Sequence, residues 1–228
     1  MSDDFYSSYS AYKNYQPATL GYKDINRFDD EIWEPAAFTS DMRCLELGAG
    51  TGQFLKYLSH KGVQDFYGID HDSDLKVVIQ PEILERFECA DVWEFLESSK
   101  NTEWDRVVLL DVLEHFMPED GFLLLSLIAK SLKPSGKVII KVPNGGSPWG
   151  MSYQMGDLTH KTAYNSESLR QVATACGLSV DTIYDQRRGS PRRMFSDAIV
   201  HKFLSWALLN PPPFWGANLY AILSLKQS

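Results

Sequence analysis

The acidic and imidazole side chains that follow position 110 are the first candidates for chemistry. Glu114 comes three positions after Asp111, and His115 follows it directly. A single helical turn would therefore bring Asp111 next to both of the others. Carboxylates and an imidazole grouped in this way are suitable ligands for a divalent metal ion. In the alternative interpretation, Asp111 faces a cofactor while Glu114 and His115 cap or orient the loop.

A glycine-rich loop is the most specific signal in the chain. Residues 46–52 read ELGAGTG, directly after a predicted strand and at the start of a predicted helix. Glycine in such a loop lets the backbone turn tightly and approach a ligand without a Cβ in the way. A nicotinamide-binding loop would follow GxGxxG, whereas here the third glycine comes one residue early, at Gly52, and Gln53 stands in its place. The spacing therefore disfavours NAD, and the loop taken alone could be only a tight turn.

Two acidic residues end the next two predicted strands. Asp70 comes 20 residues after Gly50, where a carboxylate can accept hydrogen bonds from the two hydroxyls of a ribose. Asp91 ends the third strand, close to the expected position of an adenine amino group. Each acid taken alone could instead cap the helix that follows it. Three strand ends in register favour a ligand site over separate caps.

These residues require a sheet whose strand ends meet at one edge. From 42 to 142, short β-prone runs alternate with helical patterns, which predicts parallel strands joined by crossover helices. The predicted strands are 42–47, 65–70, 85–90, 105–111 and 136–142, and the predicted helices are 52–61, 73–79, 92–98 and 119–132. Residues 178–184 and 217–225 alternate like an antiparallel pair at the sheet edge. We expect an α/β fold with a Rossmann-like, doubly wound, mainly parallel seven-stranded sheet, an antiparallel last strand and helices on both faces.

The chain divides into a flap and one domain. We expect residues 1–40 to form an aromatic, partly helical N-terminal flap and residues 41–228 to form the domain. The glycine-rich segment 144–164 follows the fifth strand and is long enough to be an active-site loop. Residues 186–216 form a helical insertion before the last strand. Its apolar part, 198–209, is expected to pack on the domain core rather than pair two subunits or touch a membrane.

Aromatic and basic residues in the loop and the insertion are candidates for binding an acceptor. Trp149, Tyr153 and Tyr164 could stack on a sugar or an aromatic ring, or could only pin the loop down. Arg187 and Arg188 begin a turn that contains four arginines. Guanidinium groups suit a phosphate or a carboxylate, although a solvated turn is the alternative.

The composition excludes several classes of function. The 228 residues carry 22 basic and 30 acidic side chains, and the formal charge of −8 argues against DNA as a partner and, less strongly, against RNA. Three cysteines without a CxxC pair fit a reducing compartment. The polar start lacks the features of a signal peptide, and no stretch approaches the ~20 apolar residues of a spanning helix. We therefore expect a cytoplasmic protein without a transmembrane segment, and the sequence is compatible with a homodimer.

On these motifs the sequence resembles the class I S-adenosylmethionine-dependent methyltransferases. The resemblance covers roughly residues 42–184 and includes the segments ELGAGTG, GID at 68–70, CADV at 89–92, DVLEHF at 111–116 and LKPSGKVII at 132–140. It implies S-adenosylmethionine as the cofactor, with Asp70 holding the ribose and with Asp91 and Val92 binding the adenine beside His71. It also implies that Gly48, Ala49 and Gly50 lie against the methionine part of the cofactor. Glu46 and Asp111 are further residues that it implies contact the cofactor.

A second pattern is similar to that of metal-dependent O-methyltransferases. Ubiquinone-pathway O-methyltransferases share the acidic-x-x-Glu-His part, and small-RNA terminal 2′-O-methyltransferases also share the later histidine, here His160 in GDLTHK. The similarity implies a metal site formed by Asp111, Glu114, His115 and His160, with Asp111 in place of the usual glutamate. Two imidazoles and two carboxylates suit Mn²⁺, Fe²⁺, Co²⁺ or Zn²⁺ better than Mg²⁺. Without a metal, His160, or else His115, would be the catalytic base.

The predicted function is methyl transfer from S-adenosylmethionine to an oxygen of a small-molecule or sugar-linked acceptor, with assistance from a divalent metal. The sulfonium methyl group is already activated, so the protein must mainly align the acceptor and exclude water. A hydroxyl acceptor also needs a base or a metal. The open alternatives are a metal-independent small-molecule N-methyltransferase, an RNA terminal 2′-O-methyltransferase, and a cofactor-binding partner subunit without catalysis.

Overall fold

The structure, a computed structural model, describes residues 15–99, 102–186 and 189–226. These residues form one seven-stranded sheet. Its strands are Arg43–Leu47 (β1), Asp65–Asp70 (β2), Phe87–Cys89 (β3), Trp104–Leu110 (β4), Leu132–Pro143 (β5), Leu178–Asp185 (β6) and Asn218–Leu225 (β7). All seven predicted strands are therefore present, with bounds that differ by a few residues.

Helices connect the strands. The α-helices are Tyr22–Phe28 (α1), Gln53–His60 (α2), Pro81–Leu84 (α3), Val92–Ser98 (α4), Pro118–Lys130 (α5), Met151–Met155 (α6), Ser166–Ala175 (α7) and Pro191–Ala207 (α8). Asp29–Trp33 is a π-helical turn, and Ser73–Val77 and Leu113–His115 are 3₁₀ turns. Within the described ranges, no helix combines the length and the apolar content that crossing a bilayer requires.

The strand order is β3-β2-β1-β4-β5-β7-β6. Strands β1 to β5 pair in parallel, whereas β7 runs antiparallel to both β5 and β6. This order confirms the predicted doubly wound sheet with its antiparallel last strand. Because the strand order reverses between β1 and β4, the loops after these two strands open a crevice, which is where open α/β sheets bind ligands. The glycine loop follows β1, and Asp111 follows β4.

Both faces of the sheet are covered by apolar side chains. Successive side chains of β4 point to opposite faces, as the period of a strand requires. Val107 and Leu109 therefore belong to the core beneath α5 and α7, and Val108 belongs to the core beneath α2. All three side chains are fully buried. The central strands thus form a rigid base for the loops at their carboxyl ends.

The described part of the predicted flap packs on α2. Phe28 lies against Phe54 and Tyr57, with ring centroids 5.3 Å and 5.0 Å apart. The carbonyl oxygen of Thr19 accepts a hydrogen bond from Gln53 Nε2 at 2.9 Å, at the first residue of α2. The segment before α1 therefore lies beside the helix that the glycine loop opens.

The insertion helix α8 contradicts one expectation. The predicted helix is present, but none of its residues is buried, so the prediction that its apolar part packs on the core is wrong. Phe203 and Trp206, for example, are 59% and 81% exposed. The reason is that α8 borders an open cleft, which Met194, Asp197 and His201 line, and does not cover the core.

Candidate active site

The glycine loop between β1 and α2 has a backbone conformation that favours glycine. Gly48, Gly50 and Gly52 have positive φ angles of 74°, 53° and 78°, a region that residues with a Cβ rarely adopt. A Cβ added to Gly48 would lie 2.4 Å from Val112 Cγ2, whereas a Cβ added to Gly50 would meet nothing within 4 Å. The loop therefore packs at Gly48 against the segment after β4. At Gly50 there is free space, where a ligand can approach the backbone.

Asp70, the last residue of β2, is hydrogen-bonded to this loop. Its Oδ2 accepts from Gly50 N at 2.8 Å, and its Oδ1 accepts from Asp72 N at 3.1 Å. Burial alone would raise the pKa of Asp70, but the hydrogen bonds from His71, Gly50 and Asp72 outweigh it and hold the pKa below its ordinary value. Asp70 is therefore an ionised carboxylate beside the glycine loop, which suits hydroxyl donors.

Glu46 and His71 lie close to Asp70. Glu46 is buried in β1, and its Oε2 has no hydrogen-bond partner within the described residues. Burial, and then the negative charge of Asp70, raise the pKa of Glu46 well above its ordinary value. His71 Nδ1 lies 3.4 Å from Asp70 Oδ1, and the hydrogen bond with Asp70 raises the pKa of His71. Three of the residues assigned to the cofactor thus lie together at one edge of the sheet.

Asp91 caps the helix that follows it. Its Oδ1 accepts hydrogen bonds from Trp93 N at 2.8 Å and from Glu94 N at 3.2 Å, so the capping role given as an alternative is present in the structure. Asp91 follows β3, which pairs with β2, so Asp91 and Val92 lie at the same sheet edge as Asp70. An adenine contact from Asp91 and Val92 stays a prediction.

A cluster of one carboxylate and two imidazoles lies beyond β4 and β5. Glu114 and His115 belong to the 3₁₀ turn after β4, and His160 lies in the loop after β5. His160 Nε2 is 3.9 Å from Glu114 Oε1, and the rings of His115 and His160 meet edge to face with centroids 4.7 Å apart. One potential ligand atom from each residue lies within 4.8 Å of the other two. We call these three residues the Glu-His-His cluster.

Hydrogen bonds orient both imidazoles of the cluster. His160 Nδ1 donates to the carbonyl oxygen of Gln154 at 3.0 Å. Thr159 Oγ1 donates to Asp157 Oδ1 at 2.6 Å, so the same hydroxyl accepts from His115 Nδ1 at 3.0 Å. In both rings the lone pair is therefore on Nε2. Metal-binding histidines are held by hydrogen bonds of this kind.

Glu114 is the most unusual residue of the cluster. Its side chain is 0% exposed, and neither carboxylate oxygen has a hydrogen-bond partner within the described chain. Burial, and then the charge of Asp111, raise the pKa of Glu114 well above its ordinary value. A buried carboxyl group without a partner is costly, and such groups call for an explanation. A cation held between Glu114 and the two imidazoles would supply the missing partner.

Asp111 lies apart from the cluster. Its φ angle is 57°, and its Oδ2 forms an ion pair with Lys141 Nζ at 2.5 Å. Because this left-handed residue precedes the 3₁₀ turn, Asp111 does not share a helical turn with Glu114 and His115 as their spacing suggested. The structure brings together three of the four predicted metal ligands. The neighbouring Val112 contacts the glycine loop, so Asp111 lies between that loop and the cluster.

The cluster lines a cleft of about 980 Å³. The loop after β5 contributes Trp149 and Tyr153, which are 48% and 59% exposed. Helix α8 contributes Arg193, Asp197 and His201. A cleft of this size accommodates a small organic molecule.

Tyr164, one of the predicted acceptor residues, lies away from the cleft. Tyr164 is only 3% exposed and packs in the core beside α5, where a Cβ on Gly121 would lie 2.7 Å from the tyrosine hydroxyl. Its ring therefore anchors the end of the loop and does not line the cleft, which corrects the expectation that it contacts an acceptor. Arg187 and Arg188 lie outside the described residues, but Arg193 from the same arginine-rich turn lines the cleft.

Sequence reasoning missed several residues that build the site. Thr159, which orients His115, is adjacent to His160, so a search for polar residues near that histidine would have found it. His201 had no such signal. Trp149 Nε1 donates to His201 Nε2 at 2.9 Å from 52 residues away, and Trp215 stacks on the same imidazole with centroids 5.1 Å apart. Such contacts depend on how α8 packs against segments that are distant from it in the sequence.

Comparison with known sequences gives one family match. A family model described as a methyltransferase domain matches residues 23–183. Comparison with curated proteins finds no match.

Many solved structures share the fold. A SAM-dependent methyltransferase from Archaeoglobus fulgidus matches with a TM-score of 0.69 and 23% identity, over 90% of this chain and 95% of that chain. Magnesium protoporphyrin IX methyltransferase from Synechocystis PCC 6803, with bound SAM, matches with a TM-score of 0.59 and 14% identity, over 93% of this chain and 88% of that chain. Mitomycin 7-O-methyltransferase matches with a TM-score of 0.60 and 12% identity, over 89% of this chain and 54% of that chain. These likenesses show the fold.

Proposed function

The chain belongs to the methyltransferase-domain family, and from this premise we propose that it methylates an oxygen of a small-molecule or sugar-type acceptor with the help of a divalent metal. S-adenosylmethionine is the methyl donor of this family's structural relatives. The observation that supports a metal-assisted reaction is the fully buried Glu114 carboxyl group. It lies against His160 and lacks a hydrogen-bond partner within the described chain.

The residues at the edge of β1 and β2 fit the cofactor. The backbone at Gly50 is open to a ligand, and Asp70 presents an ionised carboxylate beside it. Such a carboxylate can accept hydrogen bonds from ribose hydroxyls. When bound, S-adenosylmethionine supplies a methyl group that is already activated for transfer. The remaining task of the chain is to hold the acceptor in line with that group and to exclude water.

The Glu-His-His cluster fits a divalent cation. One carboxylate and two imidazoles with their lone pairs on Nε2 favour Mn²⁺, Fe²⁺, Co²⁺ or Zn²⁺ over Mg²⁺, which prefers oxygen ligands. The residues that would hold the ion are Glu114, His115 and His160, with Asp157 and Thr159 orienting His115. When bound, the ion supplies positive charge that favours a deprotonated acceptor oxygen.

Without a metal, the same cluster supports base catalysis. His160 Nδ1 donates to a backbone carbonyl, so His160 Nε2 is the nitrogen that can take a proton from an acceptor hydroxyl. Its side chain is 8% exposed and lines the cleft. His115 has the same arrangement, with its Nδ1 held by Thr159, and is the second candidate for the base after His160.

The walls of the cleft support a small or sugar-type acceptor. Exposed indole and phenol rings at Trp149 and Tyr153 can stack on a planar or sugar ring. Arg193 adds a guanidinium group that suits a phosphate or a carboxylate on the acceptor. The structural likeness to mitomycin 7-O-methyltransferase is consistent with an oxygen acceptor of this size.

The experiment is an acceptor screen that measures S-adenosylhomocysteine release, with added Mn²⁺ or Zn²⁺ and with EDTA. We expect turnover on hydroxylated acceptors, loss of turnover in EDTA, and loss in the His160→Ala variant with cofactor affinity unchanged. His60→Ala is the matched control, because His60 is exposed at the end of α2. Full turnover of His160→Ala would refute both the metal and the base role. Activity that resists EDTA but requires His160 would leave only the base role, and turnover on amines alone would identify an N-methyltransferase.

A further inference from the structure

Helix α8 leaves its large apolar side chains exposed, unlike an ordinary surface helix. Surface helices normally turn an apolar stripe toward the core and polar residues toward water. In α8 the residues that line the cleft are the polar Arg193, Asp197 and His201 together with Met194 and Ala198. Asp197 Oδ2 lies 3.0 Å from His201 Nδ1, so the acidic residue of the helix is paired on this inward side.

The opposite face of α8 is an apolar stripe. Phe195, Ile199, Phe203 and Trp206 follow one another at spacings of four, four and three, which places them on one side of an α-helix. They are 70%, 54%, 59% and 81% exposed, and Leu209 just after the helix is 98% exposed. We call these five residues the α8 stripe. A contiguous exposed apolar patch of this kind marks an interaction surface.

The charged residues on the outward half of α8 are basic. Arg192 and Lys202 lie on the outward half of the helix by the same spacing, and both are exposed. In the sequence, Arg187 and Arg188 precede them closely. The chain as a whole carries a formal charge of −8, so this helix is a basic region in an acidic protein. Its charge is complementary to an anionic surface.

We propose that α8 lies flat on an anionic lipid surface, with the α8 stripe in the headgroup and acyl boundary and with Arg192 and Lys202 near the lipid phosphates. Amphipathic helices with aromatic and leucine residues on one face and basic residues beside them bind membranes in this way without crossing them. No spanning helix is needed, in agreement with the lack of one in the described ranges.

A second copy of the chain fits the α8 stripe less well. A two-fold interface would place the same surface of both copies together. Arg192 and Lys202 of both subunits would then gather at one contact, while Asp197 is held on the inward side by His201. Like charges brought together in this way oppose the contact. An anionic lipid surface satisfies the same cations.

The position of α8 gives membrane binding a consequence for the active site. The helix forms one wall of the cleft, so docking through its outer face brings the cleft to the level of the lipid headgroups. An acceptor carried on a lipid could then reach the cleft without leaving the membrane. This consequence rests on the proposed function, whereas membrane binding itself does not.

The test is cosedimentation of the full chain with vesicles of phosphatidylcholine alone and of phosphatidylcholine mixed with phosphatidylglycerol. We expect binding to the anionic vesicles that weakens with salt, and at least about a tenfold loss of partitioning in the F203S/W206S and R192E/K202E variants. V77S is the matched control, since Val77 is 90% exposed outside α8. All substituted side chains are exposed, so the variants should fold, and circular dichroism checks this.

Three results would overturn the proposal. The first is absence of binding to the anionic vesicles, and the second is binding that F203S/W206S leaves unchanged. The third is a wild type that does not bind vesicles but forms a dimer in light scattering, with the dimer dissociated by F203S/W206S. The last result would assign the α8 stripe to a second copy. Because sedimentation needs neither cofactor nor acceptor, failure here is distinguishable from failure of the proposed methyl transfer.

Discussion

Replacing Glu114 with methionine should stabilise the metal-free protein. The Glu114 side chain is fully buried, and both of its oxygens lack a hydrogen-bond partner within the described chain. Methionine has a similar length and no polar oxygen, so the Glu114→Met variant removes an uncompensated group from the interior. The backbone carbonyl of Glu114, which accepts from Lys161 N and Thr162 N, is unaffected.

The expected gain follows from the cost of a buried polar group without a partner, about 1–3 kcal/mol. In a domain of this size, 1 kcal/mol shifts the melting temperature by about 2–4 °C, so the variant should melt about 2–12 °C higher in EDTA. The pH dependence has a definite sign. Burial, and then Asp111, raise the pKa of Glu114 in the folded state, so the contribution of Glu114 to stability is lost as the pH rises through that folded pKa. The advantage of the variant should therefore grow with pH.

Thermal melts in EDTA and with added Mn²⁺ or Zn²⁺ provide the assay. The metal should raise the melting temperature of the wild type and not that of Glu114→Met. Glu31→Met is the matched control, because the buried Glu31 carboxylate accepts hydrogen bonds from Tyr220 OH at 2.8 Å and from Gln186 Nε2 at 3.1 Å. That substitution should destabilise the protein by about 1–3 kcal/mol. Equal destabilisation by both substitutions in EDTA, or equal stabilisation of the wild type and Glu114→Met by metal, would refute the reasoning.

Two further predictions concern the loop and the orientation of the cluster. Gly52→Ala should destabilise the protein more than Gly62→Ala in thermal melts: both glycines have φ near 78°, but the new Cβ meets Ile83 Cδ1 at 2.5 Å only at Gly52. Equal losses would mean that backbone strain alone matters. Thr159→Val removes the hydroxyl that accepts from His115 Nδ1, so metal affinity in a titration should fall about 10–100-fold. Unchanged affinity would remove Thr159 from the site.

The sheet and the ligand edge could be predicted because local patterns determine them. Asn165, for example, caps α7 with its Oδ1, which accepts from two backbone amides of that helix, and asparagine is a preferred residue at this position. Gly177, just after that helix, has a φ of 75°, a conformation in which glycine commonly follows a helix end. The glycine loop and Asp70 also follow from local spacing, since parallel strands deliver their carboxyl ends to one edge.

The remaining features depend on contacts between distant segments. Asp111 leaves the predicted helical turn because its backbone is left-handed and its carboxylate pairs with Lys141 from β5. The apolar residues of α8 gave no indication of direction, because their periodicity is the same whether a helix faces the core or the solvent. The burial of Tyr164 likewise depends on α5. Periodicity alone contains none of this information.

The central claim is that the glycine loop and Asp70 hold S-adenosylmethionine. Calorimetry with S-adenosylhomocysteine on the wild type and on Asp70→Ala tests it most directly, with Asp41→Ala as control because the exposed Asp41 side chain accepts a hydrogen bond from Thr39, two residues away. The account predicts one site in the wild type, weaker binding in Asp70→Ala by about 1–3 kcal/mol, or roughly 5- to 150-fold, and no change in the control. Undiminished affinity in Asp70→Ala, or no binding by the wild type, would contradict it.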